Sequence, residues 1–521
     1  MNRKDLLVLL SLSLLITWGM QFYFSRYEVV SEEVQSGQRF NAPQHLQVHR
    51  PLNVEVDFID DKPATKHEIT AIDTDLAHYE FTTDGAAVSR VQFKRKWSDN
   101  SFETIFPATQ YDREKSAFLV AFDQETPFYY QLEGVKDLGD TYQVAYKAPF
   151  NGGVIRKIFT VFKESYRFDL ALSLEFNTGS RTIRPRVFIP SPILAELRED
   201  KAEGKKSTDL ISGIVNDGLS KVQIVPKNDQ AIESYWANPS LFGSQDRYFV
   251  HAFVHDQHNF AQRGFYKAVD FESMYAIIEG PEVEKNSTWN LSFYVGPKED
   301  DAMTAVDSRL DQTLNYGWLS FISKPLSRIL LEVLNFLYNY VHNYGLAIIL
   351  LTILIKLLMF PFTYKSEGGM KKQVEYEKKM EYIKNRYKND PEALNRARAE
   401  YIEKHGLPGM GGVLSGFLQL PIFWALSTTL SNAIELYRAP FLWIPDLSAR
   451  DPYYIFPLIM VIGVIFYNPT SDPSKRITSL ILAVIFAAFI SNFAAGITLY
   501  FAVNTLLGIV QSFVVKKFKL V

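Results

Sequence analysis

Five apolar stretches crowd the C-terminal part of this sequence, at residues 345–364, 413–436, 453–467, 477–492 and 493–515. About 20 apolar residues in a helix match the hydrocarbon thickness of a bilayer, so the pattern predicts a bundle of membrane-spanning helices. The third stretch is short, and only residues 491–496 separate the last two, which predicts a tight helical hairpin. A further apolar run, residues 6–24, follows Arg3 and Lys4 and ends in Trp18, Gln21, Phe22 and Tyr23. That aromatic edge, with no small-x-small cleavage site, reads as an uncleaved anchor; a cleaved signal peptide is the other reading. Six spans put both termini on one side, and Lys475, Arg476, Lys516, Lys517 and Lys519 place that side in the cytoplasm.

Whole-chain averages conceal this layout. Mean hydropathy is −0.07, with 47% hydrophobic and 22% charged residues, as in a soluble protein. The balance of 55 basic against 58 acidic residues argues against a nucleic-acid binder, and no DNA partner is expected. The absence of cysteine excludes disulfides, thiolate metal sites, Fe–S clusters and thiol nucleophiles.

Residues 26–65 are polar and pattern-poor and read as a linker. Residues 66–320 carry strand signals. Phe168, Leu170, Leu172, Leu174 and Phe176 alternate with Asp169, Ser173 and Glu175, a period of two that buries one sheet face and wets the other. Residues 79–81 and 88–93 flank the turn signal Thr83-Asp84-Gly85, and further strands are expected at 118–122, 142–146, 222–225, 248–254 and 289–295. Strands this frequent without alternating helices predict a large β-sandwich. His251 and His255 lie four apart in a strand-like context, where alternation puts both on one face but too far apart to share an ion. The domain holds no Gly-rich phosphate loop and no nucleophile elbow, so no catalytic residue, cofactor or metal is expected.

Residues 321–343 read as an amphipathic helix. Ile322, Leu326, Ile329, Leu330, Val333, Phe336, Leu337 and Val341 recur at helical spacing, with Arg328, Glu332, Asn335 and Asn339 opposite. It either lies along the membrane surface or packs as a core-facing helix. Residues 365–410 are densely charged, with Lys371, Lys372, Lys378, Lys379, Lys384, Arg386, Arg396 and Arg398. Asn389-Asp390-Pro391-Glu392 interrupts them with a proline suited to a helix's first turn, so a cytoplasmic helical hairpin is expected.

Lys356 lies inside the stretch 345–364. A cation near the bilayer centre costs about 2.5–3.5 kcal/mol on the lenient insertion scale. It could snorkel about 12 Å along the helix to Tyr364, or face a water-filled cavity. Other polar residues favour the cavity. Thr352 lies four before Lys356 and Thr363 seven after it; Ser415 and Gln419 lie four apart in the next stretch; Tyr500, Asn504 and Gln511 share a face of the last. Single polar residues in such helices are commonly helix–helix glue, whereas three stripes and a cation fit a shared wet cavity.

These residues resemble the YidC/Oxa/Alb family of membrane protein insertases in its Gram-negative form. The likeness rests on Lys356-Leu-Leu-Met-Phe-Pro361-Phe-Thr, on Leu418-Gln419-Leu-Pro421-Ile-Phe423-Trp-Ala-Leu, on residues 439–457 and on Ala495-Gly-Ile-Thr-Leu-Tyr500-Phe-Ala-Val-Asn504. Gly243-Ser-Gln-Asp-Arg-Tyr-Phe and Phe293-Tyr-Val-Gly296-Pro297 carry it in the sandwich region. The resemblance implies a multi-span α-helical membrane protein of six transmembrane helices. Five would form the insertase core (344–521), with a large all-β periplasmic domain, a supersandwich. It implies a groove open to cytoplasm and lipid, with Lys356 as its cation where family members typically carry arginine. Gln419 would line the groove and Thr352 and Tyr500 would touch substrate; Phe501 stands where many members have a second tyrosine.

Phe423, Leu426 and Phe501 would form apolar walls, and Asn504 completes the groove set. Expected partners are nascent membrane proteins, the Sec translocon with its accessory complex, membrane lipid and the ribosome. The short basic end Lys516-Lys517-Phe518-Lys519 serves equally as a contact for ribosomal RNA or a topology anchor. Two other classes stand beside this one. A transporter or channel for a small anion predicts inverted repeats and broken helices, which the sequence does not display. A tethered periplasmic binding module would need only one span.

Overall fold

The structure is a computed structural model of the chain. It describes residues 68–94, 101–105, 118–122, 126–150, 152–177, 182–192, 211–218, 221–226, 235–268, 274–314, 316, 320–388, 390–405, 411–467 and 473–517. The N-terminal anchor (1–25) and the linker (26–65) lie outside the described residues. The chain divides into two compact units, residues 1–314 and 315–521.

Among the described residues, the first unit holds antiparallel sheets of nine, five and four strands. Its longest strands, Thr141–Phe150, Gly153–Phe162, Arg167–Phe176 and Ser287–Pro297, run side by side in the nine-stranded sheet. Phe168, Leu170, Leu172 and Leu174 are all buried, as their alternation requires. The four-stranded sheet packs on that face: the Phe81 ring lies 5.4 Å from Phe159 and 6.0 Å from Phe168. The five-stranded sheet packs on it elsewhere, with Phe242 stacked on Tyr266 at 4.6 Å. Gly264 makes this approach possible, since a Cβ there would fall 2.8 Å from the Phe242 ring. The stretch expected to be extended at 118–122 keeps only Val120–Ala121 as strand, because Phe118 adopts φ +56°.

Lys157 ties the three sheets together. It sits on the inward face of Gly153–Phe162, fully buried, and donates to the carbonyls of Gly85 (2.9 Å), Ala86 (2.6 Å) and Phe118 (2.7 Å). Gly85, Ala86 and Phe118 all have positive φ, the left-handed turns that bring these carbonyls together. The helix α1, Asp300–Val306, follows the last long strand.

The second unit is helical: α2 (Ser320–Val341), α3 (Tyr344–Arg386), α4 (Pro391–His405), α5 (Gly411–Asn432), α6 (Ile455–Tyr467), α7 (Pro473–Ile490) and α8 (Ala495–Lys517). Its core gathers Leu334, Ile348, Leu351, Leu426, Leu430, Ile497 and Tyr500. Among the described residues, Tyr344–Pro361 is long and apolar enough to cross a membrane, with mean hydropathy 2.2; Ile455–Ile465, Ile477–Ile490 and Ala495–Gln511 are shorter apolar helices.

Two sequence expectations change here. The apolar face of α2 is not one surface. Ser323, Ser327, Leu330 and Leu334 are buried, and the Ser327 hydroxyl donates to the Ala425 carbonyl at 3.0 Å. Ile329 and Phe336 are more than half exposed, while Asn335, assigned to the wet face, donates to Glu435 at 3.3 Å. The apolar positions cover more of the circumference than one neighbouring helix can bury. Second, the span and the charged hairpin are not separate elements, since α3 continues for 43 residues through Pro361. Lysine and glutamate sustain a helix as well as leucine does, so a change of polarity is no stop signal. α3 ends at Arg386 and α4 begins at Pro391, where Asp390 Oδ1 caps α4 by accepting from the Glu392 and Ala393 amides at 3.1 and 3.0 Å.

Candidate functional site

Helices α3 and α8 meet through Lys356 and Asn504. The half-buried ammonium donates to Asn504 Oδ1 at 3.1 Å. One turn beyond Asn504, a Cβ at Gly508 would sit 3.8 Å from Lys356 Nζ, an ordinary contact distance, so the lysine lies over this turn of α8. The polar and apolar sides of the candidate groove therefore arise from neighbouring positions on one helix. Asn504 touches the cation, while Phe501 packs against Phe423 of α5 at 5.0 Å and Phe486 of α7 at 5.6 Å.

The other expected site residues take different places. Thr352 is 2% exposed and donates to the Ile348 carbonyl of its own helix at 2.6 Å, so its hydroxyl is already engaged. Tyr500 is also 2% exposed, and its ring lies 5.3 Å from Phe501. Leu426, expected as a wall, is a core residue. Gln419 occupies α5 one turn before Phe423; its side chain lies outside the described residues. Sequence reasoning missed Gly508 and Phe486. Gly508 had a signal, its spacing of four from Asn504, whereas Phe486 is one of many apolar residues in α7 and had none.

In the sandwich, the familiar string at 243–249 builds a turn. Asp246 Oδ1 accepts from the Tyr248 and Phe249 amides, both at 2.7 Å, and a Cβ at Gly243 would fall 2.2 Å from the His251 carbonyl oxygen. His251 and His255 do not share a face, contrary to simple alternation. A bulge between Phe253 and His255 shifts the register, leaving His251 buried with Nδ1 3.0 Å from the Pro190 carbonyl and His255 exposed. Burial pushes His251 down to about 4, so its ring is neutral at ordinary pH.

Apolar helices that carry a lysine–asparagine contact, following in the chain a sandwich whose 243–249 string closes a turn, define a class: a membrane protein with a large extramembrane domain. Comparison with known proteins gives the family. The family described as YidC periplasmic domain matches residues 69–329, and that described as 60Kd inner membrane protein matches residues 336–520. A membrane protein insertase YidC from Geotalea daltonii is 30% identical over 470 residues, 86% of each chain. Its counterpart from Citrifermentans bemidjiense is 32% identical over 382 residues, 70% of this chain and 68% of the relative. A crystal structure of an active YidC insertase with its first transmembrane domain resolved is 16% identical, covering 88% of this chain and 95% of that one, with a TM-score of 0.36. The chain belongs to the YidC family of membrane protein insertases.

Proposed function

We propose that this chain inserts and helps fold inner-membrane proteins, alone or with the Sec translocon, through a hydrated groove in which Lys356 is the cation. The observation that carries the reading is the Lys356–Asn504 contact between two apolar helices. On this reading an incoming carboxylate would meet the lysine where it lies beside Asn504. At an effective dielectric of about 20, two opposite charges 4 Å apart attract by about 4 kcal/mol, comparable to the cost of carrying one charge into the bilayer. An acidic N-terminal tail would enter the groove on that attraction. The following apolar span would pass Phe423 and Phe501 and leave sideways into lipid, its partition supplying the driving force without a nucleotide.

On this reading the anchor and five core helices give six spans, with both termini cytoplasmic and residues 26–343 periplasmic. Thr352 and Tyr500 act by packing the helices that carry Lys356 and Asn504, and Gln419 lines the groove from α5. Nascent chains are the substrate, and lipid, the Sec translocon and the ribosome are partners.

Insertion into vesicles reconstituted with purified protein tests the proposal. Lys356→Ala is expected to slow insertion of acidic-tailed substrates about tenfold or more, the equivalent of ~1.4 kcal/mol. Lys356→Arg should retain most of the rate, and substrates with neutral tails should respond weakly to either change. Normal insertion of acidic tails by Lys356→Ala would rule the groove cation out. An anion transporter would instead show anion flux that depends on Lys356.

A further inference from the structure

The loop between α5 and α6, residues 433–454, carries a feature the insertion reading does not use. Phe441 and Ile444 exchange backbone hydrogen bonds at 2.8 and 2.9 Å, closing a two-residue turn whose corners are Leu442 and Trp443. Leu442 adopts φ +53°, at a corner that such turns usually give to glycine, and is 72% exposed. The left-handed backbone is strained in any solvent, and in water the bare leucine side chain is unfavourable as well. Tyr454 repeats the combination, with φ +56° and 57% exposure, and Tyr453 beside it is 67% exposed.

The loop is rigid. Trp443 Nε1 donates to Asp451 Oδ1 at 3.1 Å, and its ring lies 4.9 Å from Phe456. The buried Asp451 also accepts from the Tyr453 and Phe456 amides, which fixes the start of α6. Gly496 donates to the Leu447 carbonyl and Arg450 to the Asn492 carbonyl, joining the loop to the turn before α8.

We propose that Leu442, Tyr453 and Tyr454 are an interfacial anchor that seats this end of the helical unit in the lipid bilayer. The proposal rests on the reading above that the bundle spans a membrane. Lipid is the occupant because the exposed surface is continuous with α6: Tyr454, Leu458, Ile462 and Ile465 follow at helical spacing, all exposed. Tyrosines where an apolar stripe ends, with exposed Arg438 and Arg450 on the same loop for headgroup phosphates, have the composition of a membrane–water boundary. Through its ties to the start of α8, the anchor also sets the depth of Asn504 and hence of Lys356.

The cysteine-free sequence makes the test clean. The full-length protein carrying Leu442→Cys or Tyr454→Cys is labelled with an environment-sensitive nitrobenzoxadiazole and reconstituted into phosphatidylethanolamine–phosphatidylglycerol vesicles. Leu358→Cys, on the exposed side of α3, reports the bilayer interior, and Lys136→Cys, on an exposed sandwich strand, reports water. The expected result is several-fold stronger quenching by shallow nitroxide lipids at 442 and 454 than at 136, with shielding from iodide. Iodide quenching at 442 and 454 equal to that at 136, while 358 is quenched by lipid, would overturn the anchor and leave the spanning reading intact. Shielding from both quenchers would mean that a second copy or another protein covers the tip, and would also overturn it. No lipid quenching at 358 would sink the spanning reading, and the anchor with it. Two labelled positions guard against misfolding of either variant.

Discussion

Lys157 and Lys356 pose the same physical problem and receive different answers. Both are lysines among apolar neighbours. Lys157 is enclosed, and its three hydrogens meet three carbonyls, so nothing is left to bind a ligand. Burial pushes it well below the usual lysine range, while a triple acceptor cage, which a neutral amine with two hydrogens cannot satisfy, pulls the other way. Lys356 is half-buried and held by an amide oxygen. His251 gives a residue-scale prediction for pH. Its folded value of about 4 lies below the unfolded 6.5, so the unfolded state binds the proton first as pH falls. The stability this contributes is complete above 6.5 and lost as pH drops from 6.5 to 4. The full effect is about 3 kcal/mol. Urea unfolding of the sandwich should show this decline, and His251→Gln should flatten it relative to the parent. Identical pH profiles for the two proteins would contradict the assignment.

Among the elements, α3 and α4 show how much rests on a single cap. The charged part of α3 runs on from the apolar part without a break, and α4 begins at Pro391, where Asp390 accepts from the two amides that follow the proline. Asp390→Ala should cost about 1 kcal/mol of α4 stability. Hydrogen exchange across residues 391–405 should then speed up while α8 keeps its protection. Equal exchange in both proteins would show that other contacts hold the start of α4. The helix periods in α5, α6, α7 and α8 were legible because apolar runs of that length admit few alternatives. The division of α2 into a buried and an exposed apolar side was not, because periodicity tells which residues share a face but not which face meets a neighbour.

At the scale of the whole molecule, two compact units with separate cores predict two unfolding events. Calorimetry of the detergent-solubilised protein should resolve them, and lowering pH from 6.5 toward 4 should move only the sandwich transition, through His251. A single cooperative transition that shifts as a whole would show the units to be energetically coupled.

The sequence by itself determined the order of the parts: a β-rich region, then an amphipathic helix, then apolar helices interrupted by one densely charged helical stretch. Patterns of period two and 3.6 and the lengths of apolar runs are local properties, written in neighbouring residues. It also marked Lys356, because a charge inside an apolar run is conspicuous without any structure. Only the tertiary structure decided which partner Lys356 meets, that Thr352 is turned to its own helix, that a bulge separates His251 from His255, and that Lys157 is caged by carbonyls from two distant turns. Contacts across more than 30 residues depend on the register of strands and the rotation of helices, and one residue of slip reverses every face. Leu442 belongs to the same group. Its identity is plain in the sequence, but its left-handed backbone and its exposure exist only in the folded loop.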